Sequence, residues 1–91
     1  MDFSAEADGH RYEMGEVVQR AGRLTLRAVV VNAIGQQVAW IKNGQTLSVD
    51  SVPATGALLF ETVTLPGDWF TIVVRAGEAP AAFANAIFVA R

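Results

Sequence analysis

Residues 35–49 read GQQVAWIKNGQTLSV, and at their centre lies Asn43-Gly44, a dipeptide able to take positive φ at both positions. That is the requirement of a two-residue β-hairpin turn. On one side Val38 to Ile41 supply the β-branched and aromatic side chains that pack well on a pleated surface. On the other side Thr46 to Val49 supply a second, shorter arm. A hairpin is therefore predicted, with strands around residues 38–41 and 46–49.

The same grammar extends in both directions. RLTLRAVVVNAI, residues 23–34, begins with Leu24, Leu26, Ala28 and Val30 alternating against Arg23, Thr25 and Arg27, a period of two that marks a strand. After the loop DSVPATG (50–56) comes ALLFETVTL (57–65). Its phase breaks, with Leu58 and Phe60 pointing one way and Val63 and Leu65 the other, so a bulge near Glu61 is expected. PGD turns the chain into WFTIVVRA (69–76), and GEAP turns it again into one closing strand, AAFANAIFVA (81–90). Strand and turn alternate every eight to twelve residues or so, with no helical window of useful length.

This spacing predicts an all-β fold, an immunoglobulin-like antiparallel β-sandwich of six to seven strands. Trp40 suits the buried tryptophan of such a sandwich, without the disulfide that often accompanies it, because the chain has no cysteine; the alternative is a core aromatic of some other small barrel. Residues 10–91 are assigned to the domain. Residues 1–9 are read as a linker or disordered N-terminus, since the first sixteen residues carry Asp2, Glu6, Asp8, Glu13 and Glu16 and few aliphatics. The closing strand is expected to complete a sheet, and the acidic start to lead from the rest of a longer protein.

Composition narrows the function. Ninety-one residues make one domain, able to bury about two thirds of its unfolded surface. The 52% hydrophobic content comes in short runs, none approaching the roughly 20 residues of a membrane-spanning helix. The acidic N-terminal stretch stands where a secretory leader has a basic start and an apolar run. A net charge of -2, with the basic residues scattered singly, offers no electrostatic footprint for nucleic acid. Neither nucleic acid nor a membrane is expected as a partner.

Catalytic chemistry has little to work with. His10 is the single histidine. Glu6, Asp8 and His10 alternate in EADGH and would share a face on a strand, an arrangement able to bind a divalent ion only weakly, and a solvated acidic linker is the preferred reading. Ser4, Ser48 and Ser51 lie in no nucleophile-elbow pattern. Of the carboxylates Asp50, Glu61, Asp68 and Glu78, three sit beside turn residues as ordinary surface, and Glu61 faces outward in mid-strand. The glycines are spaced singly at turns, not clustered before a helix as a phosphate cradle would be. No catalytic, cofactor or metal residue is assigned, and the chain alone is read as no enzyme.

The last third carries a further signal. GDWFTIVVRAGEAPAAFANAIFVAR (67–91) resembles the C-terminal β-sandwich domain of metallohydrolases of the polymerase and histidinol phosphatase (PHP) superfamily, in particular the CehA/McbA-like group. Trp69 and Phe70 stand at that family's Trp-Tyr pair and Arg75 at the end of the strand. Asn85, Ile87, Phe88 and Val89 stand at its closing motif, and Lys42 to Gln45 at its basic-Asn-Gly turn. Thr71 stands in place of an arginine and Ala86 in place of a proline. The resemblance implies an accessory domain of a metal-dependent phosphoesterase whose ligands, several His-X-His motifs, would lie elsewhere in the parent chain.

Face assignment suggests how such a domain works. With Phe70, Ile72, Val74, Ile87 and Val89 turned inward, Trp69, Val73 and Phe88 point outward on adjacent strands, and an outward apolar cluster marks an interface. The expected partner is the catalytic domain of the parent chain or a second copy of this one. The rival reading is a stand-alone or tandem module for carbohydrate or protein, with Trp40 or Trp69 as its stacking platform.

Overall fold

Alternation of inward apolar and outward polar residues gives ten strands and no helix among the described residues. The computed structural model describes residues 1–31, 33, 35–77 and 79–91. The strands are β1 (Asp2–Ala7), β2 (His10–Glu13), β3 (Val17–Val18), β4 (Arg23–Val29), β5 (Gln37–Lys42), β6 (Gln45–Ser51), β7 (Ala57–Val63), β8 (Trp69–Ala76), β9 (Ala79–Phe83) and β10 (Ile87–Val89). One sheet runs β2-β1-β4-β7; the other runs β3-β10-β8-β5-β6, with β9 also paired to β8. The molecule is a β-sandwich. Residues 32 and 34 of the predicted first strand, and Glu78, lie outside the described residues.

The core lies between the two sheets. Phe3, Leu24, Leu26 and Leu58 face it from the first sheet, and Val38, Trp40, Phe70, Ile72 and Ile87 from the second. Trp40 is fully buried and stacks on Phe60 of the opposite sheet, with ring centroids 5.5 Å apart and planes at 23°. Its indole Nε1 donates to Asp50 Oδ2 at 2.7 Å, so the core's largest side chain buries no unpaired donor. At the predicted hairpin Asn43 and Gly44 have φ of 52° and 85°. Both lie in the left-handed region that the turn requires.

Four expectations are corrected. Residues 1–9 are no linker: β1 pairs with β4 from Asp2↔Val29 to Glu6↔Thr25, and Phe3 and Ala5 are buried in the core. The acidic residues of DFSAEA fall on its outer face and leave Phe3, Ala5 and Ala7 facing in. No bulge occurs near Glu61, because β7 pairs with β4 without a shift from Ala57↔Val29 to Val63↔Arg23. Leu59 and Val63 are simply outward residues of a regular strand. Register shifts occur instead at Trp40/Ile41 between β5 and β6, and at Val74/Arg75 between β8 and β9.

The remaining two concern strand number and direction. The closing strand is split, β9 and β10 both lying along the same side of β8, and with the N-terminal strands this raises the count from the expected six or seven to ten. At the split, Thr71 Oγ1 donates to the Ala84 carbonyl at 2.8 Å, a side-chain bond where the ladder is interrupted. The pairing is also not wholly antiparallel. β3 lies parallel to β10, with Val17 opposite Phe88, and the Ala90 N–H donates to the Val18 carbonyl at 2.8 Å.

Candidate functional surface

The outer face of the second sheet follows from its register. On β8 the even residues Phe70, Ile72 and Val74 enter the core, so Trp69, Thr71, Val73 and Arg75 face away from it. One row across this face is Val17 of β3, Phe88 of β10 and Trp69 of β8. A second row is Phe83 of β9, Val73 of β8, Ala39 of β5 and Val49 of β6. Every member of both rows is apolar.

Backbone bonding sharpens the contacts within the rows. The Val89 N–H donates to the Asp68 carbonyl, so the next pair, Trp69 with Phe88, belongs to the non-hydrogen-bonded class, in which side chains approach most closely. The Ala84 N–H donates to the Ile72 carbonyl, which places Val73 with Phe83 in the same class. Phe88 is 45% exposed and Phe83 67%, whereas Trp69 is half-buried. Val73 and Ala39 are buried without belonging to the core cluster. Thus Trp69, Val73 and Phe88 do share one face, with Phe88 open, Trp69 partly covered and Val73 enclosed by its neighbours in the row.

Asp68 fixes one end of this face. Its carboxylate accepts from Asn43 Nδ2 at 2.9 Å and from the Leu65 N–H at 2.8 Å, with Lys42 Nζ 3.3 Å away. Asn43 Oδ1 in turn accepts from the Trp69 N–H at 2.9 Å, and the Asn43 N–H donates to the Trp69 carbonyl at 2.9 Å. The hairpin turn thus clamps the Trp69 backbone. The Asn43 amide, followed by the Leu65 N–H and the Lys42 ammonium, holds the Asp68 carboxyl below its ordinary value against the opposing effect of burial. Asp68 is therefore a buried structural carboxylate, not the solvated turn residue the sequence suggests.

The first sheet's outer face has a different character. Arg11 pairs with Asp2 at 3.0 Å and with Glu13 at 2.8 Å, and Arg23, Arg27, Glu6 and Glu61 share the same surface. Glu6, Asp8 and His10 do not line one strand, because Asp8-Gly9 is the turn joining β1 to β2. Glu6 stands opposite Arg11, and His10 packs on Tyr12 with centroids 4.5 Å apart. Three clefts among the described residues hold about 60, 230 and 220 Å³, below the roughly 300 Å³ at which small-molecule sites begin.

Sequence reasoning found three members of the apolar face and missed Val17, Ala39, Val49 and Phe83. Their outward phase was readable, but their adjacency depends on the parallel β3–β10 pairing and on two register shifts, which leave no local signal. Comparison with known proteins returns no matching family model, no matching curated protein and no matching solved structure.

Proposed function

We propose that this chain is a non-catalytic accessory domain of a PHP-type metal-dependent hydrolase, acting by docking its second sheet on the catalytic domain. The observation that carries this reading is the contrast between two outer faces: one rich in charge, with Arg11 paired to Asp2 and Glu13, the other built of two wholly apolar rows whose members Val17, Phe88, Phe83 and Val49 are exposed. Val17 and Phe88 adjoin in the first row, and Phe83 and Val49 stand at the two ends of the second; exposed apolar groups gathered on one face mark an interaction surface. The strand order supports an immunoglobulin-like arrangement for the domain: β1, β4 and β7 face β10, β8, β5 and β6, so hairpin partners and strands returning from the other sheet interleave. The residues at the family's Trp-Tyr, closing-strand and basic-Asn-Gly positions support the assignment to the PHP group.

A carbohydrate module is the second reading, and Trp69 beside Phe88 is what favours it, as a partly open aromatic platform. Trp40 cannot serve, being fully buried. Chemical-shift perturbation separates the two. Docking predicts saturable shifts at Val17, Trp69, Phe83 and Phe88 when a PHP catalytic barrel is added, and none with glycans. Glycan-induced shifts confined to Trp69 and Phe88, with no response to the barrel, would replace the docking reading by the module.

A further inference from the structure

The first sheet ends on β7, whose free side has no paired strand among the described residues. An open edge is a template for another strand, and folded proteins normally blunt it. β6, the long edge of the other sheet, is blunted twice: its ladder is shifted at Trp40/Ile41, and Asp50 is tied inward to the Trp40 indole. β7 has neither device. It pairs regularly with β4 over seven residues.

The rungs of β7 can be assigned. The Val30 N–H donates to the Gly56 carbonyl and the Thr64 N–H to the Gly22 carbonyl, each at 2.8 Å. Antiparallel bonding alternates, so residues 58, 60 and 62 direct their backbone groups to β4. Residues 57, 59, 61 and 63 direct theirs to the free side.

We propose that β7 is a pairing edge through which two copies of this chain join antiparallel about Phe60, merging their first sheets. A two-fold pairing must set odd residues opposite odd ones. Centred on Glu61 it would oppose two carboxylates directly, and centred on Leu59 it would leave part of the strand unpaired. Centred on Phe60 it uses the whole strand, with Leu59 opposite the other copy's Glu61 and Ala57 opposite its Val63.

This register also matches charge and shape. Arg27 is the β4 partner of Leu59, so the other copy's Glu61 lies in the same row two strand spacings away, roughly 9.6 Å, within reach of an extended arginine. Neither Arg27 nor Glu61 takes part in an ion pair among the described residues. Phe60, half-buried at the rim of the core against Trp40, meets the other copy's Phe60 in a close, non-hydrogen-bonded pair. A second copy thus supplies the strand, the countercharge and the apolar cover together.

Sedimentation velocity from micromolar to millimolar protein tests this pairing, with circular dichroism to confirm folding. The wild-type chain is expected to dimerise. Leu59→Pro removes a donor that points away from β4, so it should give a folded monomer. Glu61→Arg should weaken the dimer roughly tenfold, and Arg27→Glu with Glu61→Arg should restore it. A wild-type monomer at every concentration overturns the proposal. So does a dimer indifferent to Glu61→Arg, or one lost only on Phe88→Ser, which would place the contact on the second sheet.

Discussion

Asp68 shows how much one side chain can hold. It joins the β7–β8 connection to the β5–β6 hairpin through Asn43, the Leu65 N–H and Lys42, and Asn43 passes the link on to the Trp69 backbone. Asp68→Ala should destabilise the domain by about 2–3 kcal/mol, since charged hydrogen bonds are lost and Asn43 is left short of a partner; urea unfolding at neutral pH measures it. Its folded carboxyl is held below the ordinary value, so the folded state binds the proton less readily than the unfolded chain does. Its stabilising contribution is complete above the unfolded value, about pH 3.9, and disappears as pH falls through the lower folded value. Unfolding midpoints measured from pH 5 downward should drop more steeply for the wild type than for Asp68→Ala.

At the scale of elements, the N-terminal strand and the loop before β7 are the informative cases. Phe3 is fully buried, and Phe3→Ala should cost about 3–5 kcal/mol, where a linker residue would cost nothing; thermal melts of the variant and of a chain lacking residues 1–7 both report it. Gly56 has φ of +76°, and a Cβ there would lie 2.6 Å from the Val30 carbonyl oxygen. Gly56→Ala is therefore expected to lose about 2–4 kcal/mol through strain and displacement of Val30, just past the end of β4, read by chemical denaturation. The hairpin at Asn43-Gly44, the alternation of β4 and β8, and Trp40 in the core were all legible because each is written in neighbouring residues. β1 was obscured because its charges dominate the composition while its inward residues are mostly alanine. The split of the last strand and the parallel β3–β10 pair depend on contacts distant in sequence, as does the completeness of the apolar face.

For the whole molecule, the two sheets differ in the surfaces they present. The first carries a charged outer face and an open edge; the second carries two apolar rows and the clamp that steadies Trp69. The proposed docking through the second sheet and the proposed self-pairing through β7 would engage different surfaces, so the two proposals are compatible in one assembly. The direct measurement is titration of an isotope-labelled chain with the catalytic barrel of a CehA/McbA-like metallohydrolase that lacks its own C-terminal sandwich. Saturable shifts at Val17, Trp69, Phe83 and Phe88, abolished by Phe88→Ser with the fold intact, are the predicted result. No perturbation at saturating barrel, or perturbation confined to the charged face of the first sheet, would contradict the account.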